Sequence, residues 1–472
     1  MKSHPNASYS FTVRLQIKNV PGMFSKTTAV IGREGGALGA VDLVKASPQF
    51  NVRDIVVFAS DAEHADRIIS KLNKFKGAKV LAHSDRTFLV HLKGKMEIAA
   101  RTPVRTRDDL SMVYTPGVGR ICTAIYEKPS LVWNLTVKGN MVAVVTDGTA
   151  VLGLGDIGPE AALPVMEGKA ILFKSFAGID AFPICLDTKD TQEIIDTVCR
   201  TAPGFGGINL EDISAPRCFE IEAALKKRLN IPVMHDDQHG TAVVVLAGMI
   251  NALKVTRRSF SSVRAVVAGA GASAVAVTNM LRRAGMKDII CCDRAGAIFK
   301  GRKEHMNSAK EILSKNTNPR RYQGNIKGAL KGAHVFIGLS QPGSVKLSEI
   351  RGMAKKPIIF ALANPTPEIA PESISGFAKI IATGRSDYPN QINNALAFPG
   401  IFRGALDVRA KEITEGMKYA AARAIASVIT PKELSQSYIV PSIFNSSVAE
   451  KVAREVAKAA VRAGVARRKD QA

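Results

Sequence analysis

The chain has 472 residues, 46% of them hydrophobic, so it is too long for one ordinary domain and too apolar for a disordered one. Its formal charge of +24 is spread in short clusters such as Arg320-Arg321 and Arg467-Arg468-Lys469, without interleaved aromatics; this favours general attraction of small anions over a nucleic-acid partner. No apolar run reads as membrane-spanning, Met1–Ser10 lacks the apolar core of a signal peptide, and the six cysteines form no CxxC pair, so a cytoplasmic protein with reduced thiols and no membrane partner is expected.

Residues 11–85 read as a separate small domain. Phe11 to Ile17 alternates as a strand, Asn19–Met23 is a turn, and Phe24 to Glu34 has helical spacing stopped by Gly35-Gly36. Strands follow at Ala40–Lys45 and Val52–Phe58, then a helix from Asp61, its cap, to Lys74, then a strand at Lys79–Ala82. This β-α-β-β-α-β order is the ferredoxin-like plan. The Asn19–Gly22 turn, the Gly35-Gly36 stop and Val52-Arg53-Asp54 resemble the ACT domain. That resemblance implies a regulatory module that takes a small effector and pairs with copies of itself, hence a homodimer or larger homo-oligomer. A docking module without a ligand is the alternative.

A connector follows over 86–105, and an α/β catalytic region is expected over 96–240. It holds a buried strand at Asn140–Val145, the glycine-rich Gly153–Gly158, and a strand at Ala181–Leu186. Over 241–445, a long apolar helix from Gly240 to Leu253 precedes strands at Arg264–Ala268, Ile289–Cys292, Val335–Gly338, Pro357–Ala361 and Ile380–Ala382. Strands alternating with helices at these spacings predict a doubly wound, Rossmann-type parallel sheet. A C-terminal helix is expected within 446–472, opened by a Ser447/Glu450 capping box, with Val448, Val452 and Val456 on one face.

Gly269-x-Gly271-x-x-Ala274 sits between a predicted strand and helix, with Ala272 and Ser273 inside it and Asp293 closing the next strand. The glycines allow a tight turn and close approach of a pyrophosphate, and Asp293 is placed to bind a ribose 2′-hydroxyl. This favours NAD; Arg294 beside it leaves NADP open. Upstream, Glu211-Asp212 and Asp236-Asp237 concentrate carboxylates that repel one another unless a cation or a buried base lies among them, as a hard divalent metal would. A dinucleotide implies hydride transfer, and a metal beside it implies a substrate held by two oxygens. Together they point to oxidation of a 2-hydroxy acid, with loss of carbon dioxide as a possible second step.

Leu110–Val118, Thr146–Asp156, Met166–Ala170, Asn209–Asp212, His235–Thr241, Ala363–Pro367 and Asn393-Asn394 follow one another in the order of the malic enzyme family, and the chain resembles its short bacterial-type form over residues 100 to about 445. The resemblance implies oxidative decarboxylation of L-malate to pyruvate with reduction of NAD(P). It implies Glu211, Asp212 and Asp237 as ligands for Mg²⁺ or Mn²⁺, Lys169 as general base assisted by Asp236, and Tyr114 as the acid that protonates enolpyruvate. Asn364 and Asn394 would hold the substrate, Asn364 also facing the nicotinamide, and Gly338, Leu339 and Ser340 would line the cofactor. Lys169 can serve as a base only if burial and the cation lower its pKa. Each residue has a plainer reading: Asp236 or Asp237 as caps of the helix at Gly240, Glu211-Asp212 as caps near Pro216, Lys169 as a solvated charge, Tyr114 as a core aromatic, Asn364 as a turn residue, and His235 and His239 as structural. Ala150 stands where long-form relatives carry a carboxylate-clamping arginine, which leaves the loop amides of residues 115–119 as a candidate clamp. Two other functions remain: a redox-neutral malate or oxaloacetate decarboxylase, and a non-enzymatic ligand-binding regulator.

Overall fold

A computed structural model describes residues 4–469, so Met1–Ser3 and Asp470–Ala472, at the ends of the expected segments, lie outside the described residues. The chain divides into two compact units, Met1–Ala99 and Ala100–Ala472.

In the first unit the order is β1 (Asn6–Lys18), α1 (Met23–Arg33), β2 (Ala37–Ala46), β3 (Phe50–Ala59), α2 (Ala62–Lys74) and β4 (Ala78–Asp85). The strands pair antiparallel in the order β2-β3-β1-β4. Alternation in β1 and β3 sends Val13, Leu15, Ile17, Ile55 and Val57 inward, where they meet Ile31 of α1 and Ile68 and Leu72 of α2. Asp61 caps α2 by accepting from the His64 amide at 2.7 Å. The connector is less plain than expected, because Arg86–His91 forms a helix with Asp85 as its cap.

The second unit contains two sheets. Strands β5 (Met141–Thr146), β6 (Asp180–Cys185), β7 (Gly207–Leu210) and β8 (Val233–His235) pair parallel in the order β6-β5-β7-β8. The other sheet is built from β9 (Arg264–Ala268), β10 (Asp288–Asp293), β11 (Gly296–Ala297), β12 (Val335–Gly338), β13 (Ile358–Ala361) and β14 (Ile380–Thr383), in the order β11-β10-β9-β12-β13-β14. All its pairings are parallel except the short β10–β11 edge. The order turns back at β9, so the crevice between β9 and β12 is where a doubly wound sheet takes its ligand.

The helix Asp236–Thr256 leaves β8 and leads to β9. It starts four residues earlier than expected, which makes Asp236 and Asp237 its first turn, where negative charge is favoured. By length and composition alone it is apolar enough to cross a membrane, contrary to the sequence reading, but 67% of that window is buried within the fold. The helix Ser447–Arg462 buries Val448, Val452 and Val456 as expected. Its capping box does not form: Ser446 precedes the helix, and the Ser447 hydroxyl turns to Asn445 Oδ1 at 2.8 Å.

Candidate active site

Four segments far apart in sequence meet at one ammonium group. Lys169 lies inside the helix Pro159–Ala177, and it is buried rather than solvated. Its Nζ donates to Asp236 Oδ2 at 2.6 Å and lies 2.7 Å from Glu211 Oε1. It also sits 4.3 Å above the ring of Phe398, whose edge packs on Phe173 with ring centroids 4.7 Å apart. Asn394 donates to the same Asp236 oxygen. Gly240, one turn beyond Asp236, leaves room for this carboxylate: a Cβ there would lie 1.9 Å from Asp236 Oδ1.

Glu211 and Asp212 follow β7, and the Asp212 backbone takes a left-handed φ of 52°. Neither caps the helix that begins at Arg217, whose N-cap is Pro216 without a side-chain bond. Instead, oxygens of Glu211, Asp212 and Asp237 lie within 4.8 Å of one another. Asn209 donates to Glu211 Oε2 at 2.8 Å, and the Asp212 amide donates to Asp237 Oδ2 at 2.9 Å. Asp212 Oδ2 and Asp236 Oδ1 are buried without a hydrogen-bond partner among the described residues. A set made only of carboxylate oxygens, with a buried lone pair unspent, fits Mg²⁺ or Mn²⁺.

The electrostatics follow from crowding. Burial, then Asp237, pushes Asp212 up to about 8. Glu211 and Asp236 are also raised, because burial outweighs the nearby Lys169. Burial alone would lower Lys169, as the sequence reading required, but Asp236 and Glu211 overcompensate and hold it above its ordinary value. In this protein-only arrangement Lys169 is an ammonium.

The two histidines are not in the carboxylate set. His239 is 2.9 Å from Glu222 and 2.9 Å from Lys418 Nζ, in a buried network. Glu222 also accepts the His235 amide at 3.1 Å, so it fixes the start of the helix carrying Asp236 and Asp237. Tyr114 is not a core aromatic. It follows the helix Arg107–Val113, is 66% exposed, and stands outside the hydrogen-bonded cluster around Lys169. Most of the loop after it is spent locally: the amides of Gly117, Val118 and Gly119 donate to Ser111, Tyr114 and Pro116 carbonyls at 2.8, 2.9 and 3.2 Å, which leaves the Thr115 amide of the candidate clamp.

A cavity of about 1130 Å³ opens at the carboxyl ends of β9, β10 and β12, lined by Gly269, Gly271, Asp293, Leu339 and Ser340 among others. Gly269 has φ 121°, and a Cβ there would lie 2.3 Å from the Leu339 carbonyl, so only glycine lets these loops touch. Gly271 precedes the helix Ala272–Arg283, in which Ala274 is buried. Asp293 accepts two bonds from Arg302, at 2.8 and 2.9 Å, and one from Lys310 at 2.8 Å. Sequence reasoning missed both partners: Arg302 lies in a segment without regular structure and Lys310 in the first turn of the helix Ser308–Asn316, and neither belongs to a motif. It also missed Glu368, a buried carboxylate that accepts the Ser340 amide at 2.9 Å and the Ala363 amide at 3.0 Å. Gly338 exists for its sake, since a Cβ would lie 2.3 Å from its carboxyl carbon. Asn364 is exposed at the end of β13, and a Cβ on Gly153 would lie 3.0 Å from its carbonyl.

A crevice of this build beside a buried lysine defines a dinucleotide-binding enzyme, and the adjoining carboxylate set could hold a hard cation. Residues 93–226 match the malic enzyme N-terminal domain and residues 238–461 the malic enzyme NAD-binding domain. The chain is 56% identical over 98% of its length to the NAD-dependent malic enzyme of Geobacillus stearothermophilus, covering 96% of that protein. It is 46% identical over 79% of its length to the NADP-dependent malic enzyme of Rhizobium meliloti, covering 51% of it. The crystal structure of malic enzyme from Pyrococcus horikoshii superposes with a TM-score of 0.77 at 47% identity, covering 80% of this chain and 89% of that one. This chain belongs to the malic enzyme family.

Proposed function

We propose that the chain converts L-malate and NAD(P)⁺ to pyruvate, CO₂ and NAD(P)H, with a divalent cation held by Glu211, Asp212 and Asp237. The observation that carries this is the position of Lys169 Nζ between Asp236 and Glu211, the latter shared with the carboxylate set beside the dinucleotide crevice. A cation there supplies Lewis-acid polarisation of the substrate oxygens. It would also take up the Glu211 charge that now holds Lys169 protonated. Lys169, oriented by Asp236 and Asn394, is the group placed to accept the hydroxyl proton as hydride leaves for the nicotinamide. Asn394 and Asn364 hold the substrate in this reading, and Tyr114 returns a proton to the enolate carbon.

The glycine turn at Gly269–Ala274, with Gly338, Leu339 and Ser340, would cradle the dinucleotide. NAD is the primary cofactor, with Asp293 on the ribose. NADP is tolerated, because Arg302 and Lys310 balance the Asp293 charge and Arg294 and His305 line the same crevice.

Equal amounts of pyruvate and reduced nicotinamide, formed from malate only when Mn²⁺ is present, are expected. Pyruvate without the reduced-nicotinamide absorbance band would favour a redox-neutral decarboxylase. No product and no Mn²⁺ binding would favour a non-enzymatic regulator.

Residues 11–85 serve, in this proposal, as an ACT-like regulatory domain; the β-α-β-β-α-β order supports it. A truncation beginning near Lys95 that keeps activity and every effector response would overturn this. A homodimer or larger homo-oligomer is supported by the exposed apolar residues Leu110, Met112, Tyr126 and Val137. Six free cysteines support a reducing, cytoplasmic setting.

A further inference from the structure

Glu368 brings a charge that the proposed reaction leaves unused. It follows the Ala363–Pro367 loop and is fully buried. Its Oε1 accepts the Ser340 amide at 2.9 Å, and its Oε2 accepts the Ala363 amide at 3.0 Å. The amides of Leu362 and of Glu368 itself also face the carboxylate. Among the described residues, no lysine, arginine or histidine pairs with it.

These donors suit an ionised carboxylate, which only accepts; a protonated carboxyl would turn its own O–H toward one of them. Burial pushes the Glu368 carboxyl up, and the surrounding amides oppose that rise. The fold also makes room for the group. Gly338 stands at the carboxyl end of β12, where a Cβ would lie 2.3 Å from the Glu368 carboxyl carbon. The Gly343 amide reaches the Pro367 carbonyl at 3.3 Å and the Val345 amide the Glu368 carbonyl at 3.5 Å, so this segment is fixed to the loop after Ser340. Joining two strand ends needs no charge, and a buried charge without a counter-ion is costly. The arrangement fits a positive partner that the protein itself does not supply.

Charge is unevenly placed along the dinucleotide crevice. Arg294 and Lys310 line it beside Asp293, at the end of β10. Glu368 lies on the other side of β9, between the ends of β12 and β13. With Asp293 on the adenosine ribose, the nicotinamide half of the cofactor falls on the β12 side. That ring carries a positive charge before it accepts hydride and none afterwards.

We propose that Glu368 sets the redox preference of the cofactor site, its buried carboxylate favouring the oxidised, cationic nicotinamide over the reduced, neutral one. This rests on the dinucleotide reading of the crevice given above. A buried charge is poorly screened, so it acts on the ring without touching it. The same preference loosens the reduced cofactor after turnover.

Calorimetric titration of the full chain with NAD⁺, and separately with NADH, measures the preference. Glu368→Gln removes the charge and keeps the shape; it should weaken NAD⁺ binding at least about fivefold more than NADH binding. Glu368→Ser leaves room for water on the freed amides and should shift the ratio the same way, which decides the matter if the glutamine variant does not fold. Glu368→Asp keeps the charge, so it should weaken both forms and leave their ratio within about twofold of the unmodified chain. A residue that merely joined the strand ends would weaken both forms equally in every variant, and that result overturns the proposal. If the unmodified chain binds neither form, the dinucleotide reading itself falls, and the proposal with it.

Discussion

The hydroxyl of Ser273 donates to the main-chain carbonyl of Asp237 across 2.7 Å. This bond ties the first turn of the helix after the glycine turn to the carboxylate set. Ser273→Ala removes one partly buried hydrogen bond, so a loss of about 0.5–1.5 kcal/mol in stability is expected. The larger effect should be on turnover, since cofactor and metal segments lose their common tether. Thermal unfolding read beside kcat separates the two; an unchanged kcat would contradict the tether.

In the proposed mechanism the adjacent aspartates divide the work. Asp236 faces Lys169 and Asn394, while Asp237 faces Asp212. Asp237→Asn should weaken Mn²⁺ binding at least about tenfold, because one of three charged ligands is lost. Asp236→Asn should keep Mn²⁺ affinity and lose turnover. Manganese titration followed by electron paramagnetic resonance distinguishes the two variants, and equal losses of affinity would end the division.

Lys169→Ala should lower turnover by about 10²–10⁴-fold, the span of a lost acid–base group. It should also destabilise the metal-free protein by about 3–5 kcal/mol, since Glu211 and Asp236 would be left buried and unpaired. Added Mn²⁺ should recover part of that stability without recovering the rate. A variant with near-normal turnover would rule out the base role.

Gly240→Ala sets two effects against each other. In a helix interior the change normally gains about 0.5–1 kcal/mol. Here the new methyl would overlap Asp236 Oδ1, 1.9 Å away, and push the carboxylate from Lys169. The overlap should win in catalysis, with kcat reduced at least about tenfold. A fully active variant would mean that Asp236 can move freely.

Glu222 carries a pH dependence. Burial pushes its pKa up, but His239 and Lys226 more than offset this and hold it well below the usual carboxylate value of 4.5. A depressed pKa contributes stability that is present above the unfolded value and lost as pH falls toward the folded one. Glu222→Gln should therefore cost about 1.5–3 kcal/mol at neutral pH. The gap from the unmodified chain should shrink once pH drops below about 4.5. Urea unfolding at pH 7 and pH 4 measures it, and a gap that does not narrow would remove Glu222 as its source.

The parts of this molecule legible in its sequence are those whose physics is local. The glycine turn, the strands of the second sheet and the Asp61 cap each depend on a few adjacent residues. What escaped depends on chain partners brought from afar. Asn394 reaches Asp236 across 158 residues; Arg302 and Lys310 are nearer Asp293 in the chain, at 9 and 17 residues, but carry no spacing signal. Glu368 was invisible because nothing in Pro-Thr-Pro-Glu announces a buried carboxylate between two strand ends. The Ser447/Glu450 pattern misled because Asn445 offered the hydroxyl a competing acceptor. The paired amides after Tyr114 could not be foreseen, since the turn that uses them involves Ser111 upstream.

The left-handed backbone at Asp212 biases which residues suit that place. At φ 52° the chain admits glycine, asparagine and aspartate far more readily than longer or branched residues. Of these, only aspartate brings a charge. Glutamate has the right chemistry for a hard cation but a less relaxed fit to the main chain, whereas Glu211 next to it is under no such bias. The two neighbouring acids are therefore unequal in what may replace them, and the difference is written in the backbone before any metal is considered.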